Sequence, residues 1–371
     1  MASHRFVHLV ESELIKLTNW KEINHVLEQA FVSVSNKDKS SGQPYSSQPA
    51  RSFVHVGDAG ALLCMPAFLG NISVKSDSSQ SNPAGPAART SSLACKLITS
   101  FKDNPSRNPP LPDIIGNIFL FDETTGQLQA TLEANYLTGL RTAAASIVAT
   151  EQVFLPRIAD KSKLVLGIIG TGVQGEFHAM GFMKTHKFVQ VKLWNRTKAR
   201  SEQLKTKLTQ LAPNSCNPEV NITMHDSPEE CCTNCDIIVT ATSSSVPLVF
   251  KRFLKQNVHI NGKRNQTFIN RNVNLQHQLS AIGAGLQHHT ELAQDIYDEC
   301  SVFIDYWNGA KAELATLKST IVGEVGEVVL KQKVVPSSGI TVFQSLGMAV
   351  EDAAIGKLFY SKYMEQLNKG H

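Results

Sequence analysis

Three glycines at positions 170, 172 and 175 carry the most specific chemistry in this sequence. They follow an apolar run at residues 164–169, and a helix-compatible run follows them. In a strand-to-helix turn, this spacing lets Gly170 make the tight turn, lets a pyrophosphate approach the backbone at Gly172, and lets the helix pack on the strand at Gly175. The N-terminus of the helix then faces the phosphates. The pattern predicts a dinucleotide-binding site; the alternative is a glycine-rich turn in an ordinary α/β protein.

The residues that follow the next predicted strand indicate which dinucleotide binds. That strand ends in Asn195 and Arg196, where an NAD site usually places an aspartate or glutamate for the ribose 2′-hydroxyl. A carboxylate would repel a 2′-phosphate, whereas a guanidinium can hold one with paired donors. We therefore expect NADPH rather than NADH. The alternative is that Arg196 and Lys198 only form the solvated start of a helix.

These motifs require a parallel sheet with helices between its strands, and the chain predicts one from residue 163 onwards. Strand-like and helical runs alternate there, as they do in a doubly wound sheet. The predicted fold class is therefore α/β, with a doubly wound Rossmann domain over residues 141–324. The predicted strands span residues 164–169, 188–194, 221–224, 236–241, 257–261 and 301–305.

The residues on either side of the Rossmann domain predict a second domain of α+β type. Helical spacing covers residues 8–34, a helix of small residues covers 136–150, and a terminal helix over 345–360 is expected to return to the first part of the chain. We therefore predict that residues 1–140 and 325–371 form a substrate and dimerisation domain into which the Rossmann domain is inserted. The β-like runs span 52–56, 61–65, 95–100 and 117–121, and polar loops are expected at 37–50 and 75–92.

The composition is typical of a folded protein that binds neither nucleic acid nor membrane. The 371 residues are 42% hydrophobic and 18% charged, with a net charge of +4, and they suffice for two domains. The chain has no dense Lys/Arg tract, no apolar run near the roughly 20 residues of a membrane span, and no apolar signal-peptide core at its start. We expect a cytoplasmic protein with no nucleic-acid or membrane partner.

Three of the seven cysteines cluster just before a predicted strand, at Cys231, Cys232 and Cys235. Their spacing is compatible with a metal or redox site, but no second Cys/His pair at zinc-finger spacing accompanies them. We expect small buried residues at a helix-to-strand junction and no bound metal.

Five segments of the chain together resemble the ornithine cyclodeaminase/mu-crystallin family. The likeness runs from about residue 50 to the C-terminus, and among the branches of the family the mu-crystallins are the most similar. The resemblance implies an NADPH-dependent ketimine reductase, a homodimer whose interface lies on the non-Rossmann domain, and a possible binding of thyroid hormone. The segments are residues 137–146, 170–174, 194–197, 259–261 and 341–352.

The resemblance also implies roles for particular residues. Arg51 matches the arginine that holds a substrate carboxylate, Lys96 the active-site lysine that gives a proton to the substrate nitrogen or polarises a C=N bond, and Arg141 an arginine near cofactor and substrate. Without the family, Arg51 would be interpreted as a surface arginine, Lys96 as a lysine that snorkels from a strand, and Arg141 as a solvated or ion-paired arginine. The cofactor contacts implied are Gly170, Thr171, Gly172, Val173, Gln174, Asn195, Arg196, Thr197, Thr242, Ser243, Ile282 and Ser345.

The chain departs from the family pattern in two ways. Leu63 and Gly285 stand where cyclodeaminases carry a glutamate and an aspartate, which argues against ornithine cyclisation because that reaction needs acid and base groups near the substrate amines. Residues 262–280 are interposed at the carboxyl end of a predicted strand, where they could form a lid, block the nicotinamide pocket or be an artefact of the sequence. We expect a mobile loop that weakens or abolishes catalysis. The leading function is an imine reductase acting on a small carboxylate; the alternatives are a non-catalytic NADPH-bound carrier and an alanine-dehydrogenase-like enzyme.

Overall fold

The computed structural model describes residues 6–74, 89–263 and 290–369. Within them the chain forms two compact units, one of residues 6–141 and 348–369 and the other of residues 142–263 and 290–347.

The described part of the first unit is built on a seven-stranded, mainly antiparallel sheet. The strands lie side by side in the order β1-β7-β6-β5-β4-β2, with β3 also paired to β4, and only the β1–β7 pair is parallel. The strands are β1 (Val7–Leu9), β2 (Tyr45–Ser47), β3 (Ser52–Val56), β4 (Gly60–Ile72), β5 (Thr90–Phe101), β6 (Ile114–Phe121) and β7 (Leu128–Glu133). The helices are α1 (Glu11–Leu17), α2 (Trp20–Ser35) and α10 (Ala349–Lys369).

One face of this sheet is buried beneath helices α2 and α10. Strands β4 and β5 alternate between buried and half-buried residues, as expected for a sheet that packs on one side only. The side chain of Lys96 points to the buried face, together with those of Ala94 and Ile98. Helix α10 packs against β4, β5 and β6.

The second unit is an eight-stranded parallel sheet in its described residues, with the order β10-β9-β8-β11-β12-β15-β13-β14. The strand order reverses between β8 and β11: β9 and β10 lie to one side of β8, and β11 and β12 lie to the other. This switch point is where ligands bind in doubly wound folds. The strands are β8 (Leu164–Ile169), β9 (Phe188–Trp194), β10 (Asn221–Met224), β11 (Ile237–Thr240), β12 (Val258–Lys263), β13 (Ser301–Ile304), β14 (Ile321–Glu324) and β15 (Ile340–Ser345). The helices are α4 (Val173–Thr185), α5 (Lys198–Leu211), α6 (Pro228–Cys232), α7 (Gln294–Tyr297), α8 (Trp307–Glu313) and α9 (Val325–Val329), and α3 (Ala134–Val153) carries the chain from the first unit into the second.

The predicted α/β class with a doubly wound sheet is confirmed, but the sheet extends further along the chain than the sequence indicates. Strand β15 lies between β12 and β13 and pairs with both in parallel, so residues up to 347 belong to the second unit. The predicted division placed residues 325–347 with the terminal helix instead. The pairing of β15 depends on contacts with residues 40 to 82 positions away, which local periodicity does not report.

The cluster Cys231, Cys232 and Cys235 lies in the core of the second unit, at the junction of α6 and β11, with all three side chains fully buried. Burial raises the pKa of each thiol, that of Cys235 to about 12, so these thiols are poor nucleophiles. Their packing agrees with the expectation of small buried residues.

Candidate active site

Four charged side chains are buried together in the first unit. Lys96 comes from β5, Arg141 from α3, and Glu351 and Asp352 from the first turns of α10. Their exposed fractions are 1%, 4%, 0% and 1%. Buried charges are costly unless paired, so a group of this kind in an apolar core is typical of a functional site.

The carboxylates of α10 pair with both cations. The Nζ of Lys96 lies 2.7 Å from Oδ2 of Asp352, and the Nε of Arg141 lies 3.5 Å from Oδ1 of the same carboxylate. The Nη1 of Arg141 donates to Oε2 of Glu351 at 2.9 Å, and the main-chain N–H of Met348 donates to the same oxygen at 3.2 Å. Asp352 therefore bridges the lysine and the arginine, while Glu351 fixes the arginine.

The surroundings lower the pKa of Lys96 from its ordinary value of 10.5 to about 8. Burial is the main cause, the positive charges of Arg141 and Arg51 act in the same direction, and the negative charge of Asp352 opposes them. Burial also raises the pKa of Glu351, against the opposing charge of Arg141. Lys96 is thus a buried ammonium that can release its proton near neutral pH.

Arg51 lies at the entrance to β3, in a half-buried position. The first residue of β3, Ser52, pairs with Cys64 on β4. Met65, which follows Cys64 on β4, pairs with Lys96 on β5. The charge of Arg51 is close enough to affect the pKa of Lys96. The structure therefore brings the three predicted catalytic residues, Arg51, Lys96 and Arg141, into one region of the first unit.

Local sequence patterns did not indicate the two carboxylates that complete this cluster. Glu351 and Asp352 lie at the end of segment 341–352, to which the family resemblance gave no catalytic role. One signal was present: two adjacent acids interrupt a run of small and apolar residues, which is unfavourable in a buried helix unless the acids have partners. Their partners come from residues far away in sequence.

The family resemblance aligns Leu63 with a glutamate of the cyclodeaminases. It lies on the buried face of β4 and is 2% exposed. An apolar side chain here supplies no acid or base.

In the second unit, the glycine-rich turn between β8 and α4 has the geometry that its spacing predicts. Gly170 has φ of +102°, and a Cβ on Gly175 would lie 1.9 Å from the carbonyl oxygen of Gly170. A Cβ on Gly172 would have no protein atom within 4 Å. The turn is therefore tight at its two ends and open at Gly172, which suits a diphosphate lying against the backbone.

Helix α4 begins at this turn, with Gly172 as its N-cap residue and no side-chain cap from the described residues. Val173 is 66% exposed although it is apolar, and the carbonyl oxygen Oε1 of Gln174 is buried without a hydrogen-bond partner among the described residues. The N–H groups at the start of a helix favour an anion. These N–H groups and the open backbone at Gly172 fit the pyrophosphate of a dinucleotide; the Oε1 of Gln174 is an acceptor and takes no part in that fit.

Asn195 holds the glycine-rich turn to the end of β9. Its Oδ1 accepts the main-chain N–H of Thr171 at 3.2 Å, and its Nδ2 donates to the main-chain oxygen of Thr197 at 3.0 Å. Arg196 and Thr197 are exposed at the start of α5. Three residues were predicted to hold a 2′-phosphate. The side-chain amide of Asn195 is already hydrogen-bonded within the protein, and Arg196 and Thr197 are exposed to solvent.

The remaining predicted cofactor contacts lie at the carboxyl ends of strands or outside the described residues. Thr242 and Ser243 follow β11, and Ser345 is buried at the end of β15. Ile282, Gly285 and the interposed segment beyond residue 263 lie outside the described residues. In the part of the chain that the structure describes, no group of three His, Cys, Asp or Glu side chains could hold a metal ion. No helix in the same residues is both long and apolar enough to cross a membrane.

Comparison with known proteins identifies the family. The sequence profile of the ornithine cyclodeaminase/mu-crystallin family matches residues 6–366. The chain belongs to this family. A ketimine reductase mu-crystallin from Macropus fuliginosus is 31% identical over 280 residues, which cover 75% of this chain and 78% of that protein.

Solved structures of two enzymes share the fold over almost the whole chain. A Δ1-pyrroline-2-carboxylate reductase from Thermococcus litoralis, in complex with NADH and L-proline, matches with a TM-score of 0.72 and 23% identity, covering 97% of this chain and 98% of that one. An archaeal alanine dehydrogenase dimer with bound NAD matches with a TM-score of 0.73 and 22% identity, covering 97% and 96%.

Proposed function

We propose that this chain is an NADPH-dependent reductase of the C=N bond of cyclic ketimine carboxylates. The observation that carries the proposal is the buried Lys96–Asp352 pair, with the ammonium held 2.7 Å from the carboxylate and its pKa lowered to about 8. Membership of the family and the likeness to a ketimine reductase support the same reaction.

The coenzyme would be held by the second unit. The open backbone at Gly172, the uncapped start of α4 and the exposed Val173 fit a diphosphate and its attached groups. When bound, the reduced nicotinamide supplies the hydride that reduces the imine carbon.

NADPH is favoured over NADH by the residues after β9. No carboxylate stands at position 195, and the amide of Asn195 is already bonded to Thr171 and Thr197. Arg196 is exposed and carries the positive charge that a 2′-phosphate requires.

Lys96 supplies the proton that the reduction requires. Addition of hydride to the carbon of C=N leaves an electron pair on nitrogen, and a proton from Nζ completes the secondary amine. At pH 7 an amine with a pKa of about 8 is mostly protonated, yet it gives up its proton far more readily than an ordinary lysine. Asp352 holds the ammonium in place before the transfer. Its negative charge then favours reprotonation of the neutral amine of Lys96.

The substrate carboxylate would bind to Arg51 and Arg141. Both guanidiniums act on Lys96 through their charge, so an anion held by them would lie in the same region as the proton donor. A carboxylate adjacent to the C=N carbon distinguishes a ketimine acid from a neutral imine. Leu63 leaves the site without the acid or base that ornithine cyclodeamination needs, so reduction is favoured over that reaction.

A homodimer is part of the proposal. The face of the first sheet that α2 and α10 do not cover carries half-buried apolar side chains, and the archaeal alanine dehydrogenase is a dimer. These side chains are Leu62, Cys64, Pro66, Phe68, Leu93, Cys95, Leu97, Phe119 and Phe121. A cytoplasmic location stays a prediction of the sequence composition, and binding of thyroid hormone stays a prediction of the family resemblance.

The proposal is tested by a coenzyme titration followed by a substrate panel. Binding of NADPH and NADH is measured by fluorescence or calorimetry, and then oxidation of NADPH is followed with a five- or six-membered cyclic ketimine carboxylate, with pyruvate plus ammonia, and with ornithine. We expect tighter binding of NADPH and turnover with the ketimine. Turnover only with pyruvate and ammonia would indicate an alanine dehydrogenase, and coenzyme binding without turnover on any substrate would indicate a carrier.

A further inference from the structure

A buried carboxylate in the second unit has no part in the function proposed above. Glu291 is 4% exposed and lies between the undescribed residues 264–289 and the isolated bridge from Leu292 to Val249. It faces the loop of residues 241–248, which follows β11 at the carboxyl edge of the sheet.

Glu291 and its neighbour Thr290 bond to this loop at both ends and in the middle. At the start of the loop, Oε1 of Glu291 accepts the main-chain N–H of Thr242 at 2.8 Å and its hydroxyl at 2.5 Å. At the end of the loop, the main-chain oxygen of Glu291 accepts the N–H groups of Leu248 at 2.8 Å and Val249 at 3.1 Å. In the middle, the hydroxyl of Thr290 donates to the main-chain oxygen of Ser244 at 3.0 Å.

The loop packs directly against the glycine-rich turn. A Cβ on Gly170 would lie 2.8 Å from the carbonyl group of Ala241 and 2.8 Å from Cγ2 of Thr242. The N–H of Ala241 also donates to the main-chain oxygen of Ile169 at 2.8 Å. The position of Thr242 is therefore tied to the position of the turn that would receive the diphosphate.

The bond to Glu291 changes the role expected of Thr242. A hydroxyl has one hydrogen to donate, and that of Thr242 is directed at the carboxylate. Thr242 therefore acts as the point at which the loop is held, and the exposed Ser243 is left as the side chain that can reach a ligand.

We propose that Glu291 is a positioning residue that fixes the loop of residues 241–248 against the glycine-rich turn and so pre-forms the dinucleotide site. The inference rests on the proposed coenzyme binding. A loop that is ordered before the ligand arrives spares the ligand the cost of ordering it. Because Glu291 acts on the wall of the site and not on the 2′-phosphate, its loss weakens NADPH and NADH to the same extent.

The test compares coenzyme dissociation constants of Glu291→Ala, Glu291→Gln and Thr242→Val with that of the full wild-type chain. The matched control is Asp236→Ala. Asp236 immediately precedes β11 and so lies at the amino ends of the parallel strands, where its Oδ2 accepts the main-chain N–H of Val165 at 2.8 Å. Thermal unfolding is measured for every variant, so that a loss of stability can be separated from a loss of binding.

We expect Glu291→Ala to weaken NADPH and NADH about tenfold each, as for the loss of hydrogen bonds to a buried carboxylate. Glu291→Gln keeps an oxygen that accepts both bonds from Thr242 and should bind within about threefold of wild type. Thr242→Val should weaken binding about threefold, and the double variant Glu291→Ala/Thr242→Val no more than Glu291→Ala alone. Asp236→Ala should lower the unfolding temperature without weakening coenzyme binding.

Wild-type affinity in both Glu291→Ala and Thr242→Val would overturn the inference and leave the proposed function intact. A loss of affinity in Glu291→Ala that glutamine does not restore, or one that Asp236→Ala reproduces, would also overturn it. Absence of coenzyme binding to the wild-type protein would overturn the proposed function together with the inference.

Discussion

The two candidate sites of this chain are built from different parts of the polypeptide. In the second unit, the turn at residues 170–175 lies within one contiguous segment, and the backbone supplies most of its chemistry. In the first unit, the ion cluster joins side chains from residues 96, 141, 351 and 352, and the backbone contributes little beyond the N–H of Met348.

This difference predicts how each site responds to mutation. A backbone turn is sensitive to any added side chain, even a methyl group, because the turn works by close approach. A buried ion cluster is sensitive to the loss of one charge, because the remaining partner is left uncompensated in an apolar core. The four predictions below test this contrast, from the largest expected effect to the smallest.

Removing the proton donor should have the largest effect. Lys96→Met should lower kcat by about a hundred- to ten-thousandfold because proton transfer is lost, while coenzyme binding is retained. Because the substitution also removes the nearer of the two cations that pair with Asp352, Lys96→Arg provides a second variant: it keeps the charge but releases no proton in the accessible pH range, so it should lose turnover with little loss of stability.

The control for this prediction is Lys192→Met. Lys192 is also a buried strand lysine, but its Nζ donates to the main-chain oxygens of Glu230 and Thr233. Its loss should lower the unfolding temperature and change kcat by no more than about threefold. Full turnover in both Lys96 variants would remove the lysine from the reaction.

Adding a methyl group to the glycine-rich turn should separate binding from stability. Gly172→Ala should weaken coenzyme binding by about ten- to a hundredfold without lowering the unfolding temperature, because its Cβ meets no protein atom within 4 Å. Gly175→Ala should lower both the affinity for the coenzyme and the unfolding temperature, since its Cβ would lie 1.9 Å from the oxygen of Gly170. Dissociation constants and melting curves measured on the same preparations check this, and unchanged affinity in Gly172→Ala would place the diphosphate elsewhere.

Removing the exposed cation after β9 should change the choice of coenzyme. Arg196→Ala should weaken NADPH about tenfold and leave NADH unchanged, as for the loss of a charge-assisted hydrogen bond. Lys198→Ala is the control, because its Nζ already lies 3.1 Å from Oδ1 of Asp226 and both side chains are exposed. Equal weakening of NADPH and NADH in Arg196→Ala would contradict recognition of the 2′-phosphate.

Removing the charge of Asp352 should shift the pH dependence of the reaction. In the wild-type protein kcat/KM should fall as the pH rises through about 8, because the pKa of Lys96 is about 8 and the protonated amine is the donor. The charge of Asp352 raises that pKa, so Asp352→Asn should move the alkaline limb to lower pH, by about one unit. Glu351→Gln should move it less, because Glu351 bonds to Arg141. An unmoved limb in Asp352→Asn would show that another group controls the profile.

Strands and site residues could be predicted from the sequence where the contacts that fix them are local. The strands at residues 164–169, 188–194 and 221–224 were predicted to the residue, since each is a short run in which β-branched or aromatic residues recur. Strand β15 was missed, because its place between β12 and β13 is decided by pairing with distant strands. Glu351 and Asp352 were missed for the same reason: an acid on a helix shows its purpose only when its cation is known.

By itself, the sequence determined the doubly wound class, the glycine-rich turn and the presence of Arg196 after β9, because each depends on residues that are neighbours in the chain. Only the tertiary structure decided that Lys96 is paired with Asp352, that Asn195 is held by Thr171 and Thr197, and that Glu291 holds the loop after β11. The physical reason is the range of the interactions. Backbone conformation is fixed within a few residues, whereas the pKa and partners of a buried charge depend on what folding places around it.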